Sequence, residues 1–346
     1  MKKYIKGYSS LLDLKETEVA IKIVKDNFEK KLAKKLNLLR VSAPLFVQPQ
    51  TGLNDNLTGF EKAVSFTVNE TKDTLEVVQS LAKWKRFALK KYGFDYETGL
   101  YTDMNAIRPF EELDNIHSLY VDQWDWEKVI TKEERTMEYL KEVVEKIYEA
   151  LKETEDVISE AFPKLHQDLP EEITFITTKE LEEMYPDYTR KERENAIAKK
   201  HKAVFLMQIG HKLSDGQSHD GRAADYDDWH LNGDILLWYE PLEIAFEISS
   251  MGIRVDKNSL LEQIKIKNEE YKLEFPYHKG ILDESLPYTI GGGIGQSRMC
   301  MYMLKKVHIG EVQASYWSEE DIQEFAKYNI FFTPIRSLNF TNMYFL

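Results

Sequence analysis

Apolar residues recur along this chain with two periods. Between residues 16 and 36, Ile21, Val24, Phe28, Leu32 and Leu36 share one face of a helix. LRVSAPLFV, residues 39–47, reads as an extended run broken by Pro44. Short strands are expected over 63–68 and 74–78, then a short basic helix over 81–93. Strand-like runs at 104–108 and 117–125 flank the acidic loop PFEELDN. A long helix over 133–162 carries Leu140, Val144, Ile147 and Leu151 on one side. A strand at 173–176, a charged helix at 189–200 and a strand at 203–208 follow. The runs 234–239 and 242–249 pair around Glu240 and Pro241, and a helix covers 258–271. Strands joined by short turns and interrupted by helices predict an α+β fold with a mainly antiparallel sheet. Neither an internal repeat nor a long linker divides the chain, so a single domain over 1–346 is expected. The tail after Phe325 is aromatic and irregular, and no role is assigned to it.

The pattern departs from simple core-building in several places. In 117–125, Leu119, Val121, Gln123 and Asp125 point one way, as in a strand that leaves the core and opens into a pocket. Arg108 ends the partner strand, where a structural ion pair is the plainer alternative. Ala245, Glu247 and Ser249 share a face, which aims Glu247 either at Arg254 or at a bound cation such as magnesium. In TIGGGIGQSRMCMYML, residues 289–304, the glycines are expected to break any regular element before Gln296. A helix then starts, with Met299, Met303, Leu304 and Val307 at helical spacing and Arg298 in its first turn. Bare glycine backbone lets a planar ligand lie flat, and a helix N-terminus with an arginine suits phosphate. A loop capping a core helix is the alternative.

Other polar stretches read more plainly. Lys83, Lys85 and Arg86 are expected on a solvated basic face. Asp55, in the loop TGLNDNLTG (51–59), fits an Asx turn. The segment 211–229 holds His211, Asp215, His219, Asp220, Asp225, Asp227 and Asp228 without a standard metal-ligand spacing, so a polar loop over a pocket is expected.

Composition narrows the function. With 46 Lys and Arg against 59 Asp and Glu, the net charge of −13 disfavours a nucleic-acid backbone as main partner. Cys300 is the one cysteine, which excludes an intrachain disulfide. No apolar run reaches membrane-spanning length and MKKYIKGYSS lacks a signal-like stretch, so a soluble cytoplasmic protein is expected.

Three segments carry a resemblance. RVSAP, then AIRPFEELDNIHSLYVDQWDWE, then FEISSMGIRV with GGGIGQSRMCMYML resemble, in that order, the three motifs of class II aminoacyl-tRNA synthetases. The aspartyl and asparaginyl branch is the most similar. SLAKWKR, KLSDG, DYDDW and LNGDI bring the chain closer still to ammonia-dependent asparagine synthetases (aspartate–ammonia ligases) over about residues 15–317. The resemblance implies an antiparallel sheet flanked by helices, in a homodimer joined through the first motif. It implies that L-aspartate and ATP form β-aspartyl-AMP and pyrophosphate, and that ammonia then releases asparagine and AMP.

It also implies roles. Arg108 and Arg298 would clamp the nucleotide phosphate, beside His117, Gly292, Gly293 and Gly295. Asp234 and Glu247 would hold Mg2+. Asp125 and Asp227 would take the aspartate ammonium. Lys85, Ser249, Ser250 and Arg254 would serve its carboxylates or the ribose, and Gln123 the acyl group or nucleophile. Asp55 would take a proton from ammonium, which overrides its Asx-turn reading. One departure is the short link Trp229, His230 and Leu231 between DDW and LNGD, where a longer loop is expected. A tRNA-charging enzyme would bring a β-barrel ahead of the first motif, and a glutaminase half would bring an N-terminal cysteine, so neither function is expected. A non-catalytic amino-acid sensor would not need two phosphate arginines.

Overall fold

The computed structural model describes residues 2–55, 57 and 61–333. The first helix, α1 (Leu14–Leu36), begins in a capping box of Asp13 with Glu16 and ends at Asn37 in the left-handed region, φ 57°. Strands β1 (Leu38–Arg40), β2 (Phe46–Val47), β3 (Ser65–Thr67) and β4 (Thr74–Val77) precede α2 (Ala82–Tyr92). Then come β5 (Gly99–Ile107), β6 (Tyr120–Val129), α3 (Met137–Ala161), β7 (Thr174–Thr177), α4 (Thr178–Met184), α5 (Arg190–His201) and β8 (Ala203–Met207). The chain continues through β9 (Asp227–Tyr239), β10 (Ile244–Arg254), α6 (Lys257–Lys267), α7 (Pro276–Leu282), β11 (Thr289–Gly295), α8 (Gln296–Met303) and α9 (Glu319–Ala326).

Eight strands form one sheet in the order β1-β5-β6-β11-β10-β9-β8-β7. Only the outermost pairs, β1 with β5 and β7 with β8, run parallel. The expected antiparallel majority is therefore present. A small sheet, β2-β4-β3, sits apart. The expected loop between Trp229 and Leu231 is absent, because β9 runs unbroken through those residues.

The sheet has unlike faces. On one, Trp124, Trp126, Phe205, Ile235 and Leu237 pack with Phe28 of α1 and Val144 and Ile147 of α3. Phe28 meets Trp124 at 4.9 Å between ring centroids. Alternation along β6 sends Gln123, Asp125 and Glu127 to the other face. There, apolar cover comes only at the margins. Leu89 of α2 packs with Leu100, Ile197 of α5 with Leu236, and Leu260 of α6 with Tyr277. The middle of this face stays polar. Among the described residues, no helix is long and apolar enough to cross a membrane.

The basic face of α2 is not solvated. Lys83, Lys85 and Arg86 are all buried, and Arg86 donates to the carbonyls of Pro287 (2.9 Å) and Val255 (2.7 Å). Their charges are absorbed by the protein rather than by water.

Candidate active site

Two clefts open on the polar face where β6, β11 and β10 lie side by side. The larger, about 370 Å³, is lined by Arg108, His117, Gln123, Glu247, Gly293, Gly295 and Arg298 among others. That is the size of a small-molecule site. The smaller, about 210 Å³, takes in Asp55, Lys85, Asp125, Asp227, Ser250, Arg254 and Gly292. Arg108, Gln123, Glu247 and Gly293 border both, so the clefts are continuous. Every residue to which the resemblance gives a role lines one or the other except Ser249 and Asp234.

Ser249 fails because of a β-bulge. The β10–β9 register slips by one residue between Glu247 and Ser249, so the two no longer share a face. Ser250, opposite Asp234, takes the cleft side instead.

The glycine-rich run is a strand, contrary to the expectation that it breaks regular structure. β11 is hydrogen-bonded to β6 on one side and to β10 on the other. The glycines are needed for close approach. A Cβ on Gly291 would lie 2.0 Å from Glu127 Oε2, one on Gly292 2.5 Å from Met251 Cβ, and one on Gly293 2.7 Å from Gln123 Oε1. Bare backbone is what leaves room for the polar side chains of β6. The N-terminus of α8 is not an open anion cradle either. The Ser297 N–H donates to Asp122 Oδ1 at 3.0 Å and its hydroxyl to Oδ2 at 2.8 Å. The same carboxylate accepts from Lys25 and Gln313.

The floor of the smaller cleft is a chain of buried ions. Lys85 donates to Asp125 and to the Gly292 carbonyl (2.9 Å). Burial pushes the Lys85 ammonium down, with Asp125 opposing. Asp125 Oδ2 is buried without a partner and stands ready to accept a donor. Arg254 binds Glu127 through Nε (2.9 Å) and Nη2 (2.7 Å), and binds Asp227 through Nη1. It is therefore not the partner of Glu247. Burial disfavours its charge, but Glu127 and Asp227 outweigh that and hold the guanidinium firmly protonated. Burial also raises Glu127, yet Arg254 and the Thr289 hydroxyl (2.7 Å) pull it below the ordinary range. Asp227 stays raised, because burial exceeds what Arg254 returns.

At the other end, Arg298 Nη1 donates to the Glu247 carbonyl (3.0 Å) and lies 3.6 Å from Glu247 Oε2. Arg108 makes no ion pair among the described residues, so its alternative as a structural partner fails. Its Nη2 meets the Gln79 carbonyl at 3.4 Å, and its Nε is buried without a partner. Behind Glu247, Asp234 Oδ2 accepts from Arg222, while Oδ1 is buried with no partner. Burial drives Asp234 up to about 7, opposed by Arg222 and reinforced by Glu247. Burial raises Glu247 too, but Arg298 and Arg222 bring it below its ordinary value. His117 Nδ1 is held 2.8 Å from Asp114.

Asp55 makes an Asx turn with one oxygen and leaves the other unengaged. Oδ1 accepts from the Leu57 N–H at 3.0 Å, as in an Asx turn, while Oδ2 is buried without a partner. Burial pushes this carboxyl up. Asn56 and residues 58–60 of the expected 51–59 loop lie outside the described residues.

Residues 211–226 form the expected polar loop, whereas 227–229 already belong to β9. Asp215 pairs with Arg190, His219 with Glu194, and Asp228 with Arg135. Among the described residues, no group of three or more His, Cys, Asp or Glu side chains is placed to hold a metal. Sequence reasoning missed Glu127, Arg222 and Asp122. Glu127 had a signal, since it extends the Gln123 and Asp125 alternation by one more step. Arg222 had none.

Residues 15–329 match the family described as aspartate-ammonia ligase. A protein of Clostridium tetani named aspartate–ammonia ligase is 63% identical over 92% of this chain and 94% of its own length. One of the same name from Ruminiclostridium cellulolyticum is 59% identical over 94% and 97%. Among solved structures, the Entamoeba histolytica asparaginyl-tRNA synthetase superposes with a TM-score of 0.63 at 13% identity, covering 87% of this chain and 67% of that one. That of Pyrococcus horikoshii complexed with asparaginyl-adenylate does so with 0.63 at 15% identity, covering 87% and 70%. At such identities these two structures establish the class II synthetase fold alone. The sequence matches go further, and with them the chain belongs to the aspartate–ammonia ligase family.

Proposed function

We propose that this protein amidates L-aspartate with ammonia at the expense of ATP, through β-aspartyl-AMP. The observation that carries the reading is the meeting of Arg108 and Arg298 in one cleft, continuous with a second cleft lined by Lys85, Asp125 and Asp55. A carboxylate approaching a phosphate is repelled by its charge. Two guanidinium groups neutralise that repulsion and stabilise the transferring phosphorus. An oxygen of the aspartate β-carboxylate attacks the α-phosphorus, and the bond to pyrophosphate breaks. Asp125, through its free Oδ2, takes the substrate ammonium, while Lys85 and Ser250 stand beside it for a carboxylate. Gln123, bordering both clefts, lies where the acyl group must pass. Ammonium then gives a proton to Asp55, the nitrogen attacks the acyl carbon, and the bond to AMP breaks.

Asp234 and Glu247 fit a magnesium ion, with hard oxygens and one of them orphaned, and such an ion would offset charge on the departing pyrophosphate. Two protein carboxylates leave the remaining coordination to phosphate oxygens and water, as this ion prefers. A homodimer is part of the same reading. Exposed Leu39, Leu45 and Phe46, around the RVSAP segment, support it.

The test is pyrophosphate exchange and AMP release with aspartate, ATP and ammonia but no tRNA. Arg298→Ala is expected to lose exchange by at least a hundredfold with its circular dichroism unchanged. AMP release that requires tRNA would refute the reading.

A further inference from the structure

Behind Asp55, outside both clefts, lies a buried cluster of ions that the chemistry above does not use. Asp225 is wholly enclosed. Its Oδ2 accepts from Lys83 of α2 at 3.1 Å, lies 2.9 Å from His278 Nε2 of α7, and is 3.6 Å from Lys272 Nζ. Lys272, in the turn Glu270–Glu274, also meets Glu269 at 2.8 Å. Burying two lysines is costly, and here both are gathered close to one substrate-facing carboxylate.

The loop that carries Asp55 is seated on the same cluster. Gly52, at φ +71°, rests against Phe275, where an added Cβ would come within 2.7 Å of Phe275 Cβ. The Gln79 amide donates to the Asp55 carbonyl at 2.8 Å. Backbone and side chain are thus both held from behind.

Charges reach Asp55 from every side. From behind, Lys83 and Lys272 favour its ionised form, whereas Asp225 and above all burial oppose it. Tyr226 stands beside it and stays neutral, driven up by burial. Across the cleft lie Lys85, Arg108 and Arg222, with Asp125, Asp227 and Glu247. A protonated Asp55 could not take a proton from ammonium, so some positive charge must offset its burial. Lys83 is the strongest of those that do.

We infer that Lys83, fixed by Asp225 and His278 behind the Asp55 loop, is a positioning residue for the second half-reaction, acting through Asp55 on the incoming ammonium ion. One N–H bond of ammonium breaks and its proton goes to Asp55. The nitrogen lone pair forms the bond to the acyl carbon, AMP leaves with the electrons of the broken C–O bond, and the surplus proton passes to solvent. The inference rests on the adenylate reading above.

The test compares full-length wild type, Lys83→Met, Lys83→Arg and Lys272→Met in two assays. One is pyrophosphate exchange with aspartate and ATP. The other is asparagine formation against pH at saturating ammonium. For Lys83→Met, exchange is expected to stay within about twofold. The acidic limb of asparagine formation should move up by about one pH unit, a tenfold loss on that limb. Lys83→Arg should restore the limb, and Lys272→Met should move it the same way by less. Retained exchange doubles as the evidence that the variants fold. An unmoved limb in both methionine variants, or exchange falling in step with asparagine formation, overturns the inference. Exchange by wild type with unmoved limbs overturns this inference alone, whereas wild type without exchange overturns the adenylate reading as well.

Discussion

Replacing Glu127 by Gln removes one charge from the floor of the smaller cleft and changes little else in shape. The native carboxylate accepts from Arg254 at 2.9, 3.1 and 2.7 Å and from Thr289 at 2.7 Å, with no exposure to solvent. The amide turns an NH2 group toward a guanidinium that is itself buried, and sets donor against donor. Breaking a buried pair from one side costs about 3–5 kcal/mol. Asp227 still binds Arg254, which places the expected loss near the lower bound, about 3 kcal/mol. For a chain this long unfolding as one unit, that lowers the melting temperature by about 4 °C. The sign with pH follows from the depressed carboxyl of Glu127. Its contribution is complete above the unfolded range, about pH 4.3, and is lost as pH falls through the folded value. Calorimetric melts of wild type and variant should therefore differ by a constant amount at neutral pH and converge in acid. The KM for aspartate should rise as well, because Arg254 loses its anchor. A variant that melts within about 1 °C of wild type at neutral pH would refute the claim that this pair braces the cleft floor.

Gly291→Ala puts a methyl 2.0 Å from Glu127 Oε2 and 2.6 Å from the Trp126 carbonyl, which cannot retreat within the sheet. A loss of about 3 kcal/mol in chemical denaturation is expected. In the proposed divalent-ion site Asp234, raised to about 7, would set protons in competition with the metal. Manganese affinity, read by electron paramagnetic resonance, should rise about tenfold from about pH 6 to pH 8 in wild type and stay flat in Asp234→Asn.

The parts of the fold written in periodic apolar residues could be read directly. The face of α1, the alternation of β6 and the hydrophobic side of α3 each follow from spacing that no tertiary contact overrides. Where reading failed, a partner distant in sequence decided the outcome. Glycines disfavour strands in isolation, yet β11 is a strand because Glu127 and Gln123 of β6 need the space a side chain would take. Lysines at helical spacing look solvated, yet Lys83 and Lys85 find carboxylates 142 and 40 residues away. A single inserted residue in β10 turned Ser249 away from the cleft, and bulges leave no mark in the pattern of apolar residues. Motif order, by contrast, carried the two arginines to one cleft without any knowledge of the sheet.

Asp122 touches both Lys25 of α1 and Ser297 at the start of α8, the residue before Arg298. A helix near the beginning of the chain is thereby fastened to the turn that carries Arg298, the guanidinium proposed to work on the nucleotide. Mechanical disturbance of α1, whether by a partner docking on its outer surface or by loosening of its seat, has a rigid lever through which to reach the chemistry. Loss of turnover after changes on that remote surface would be a transmitted effect, and an intact cleft would be no argument against it.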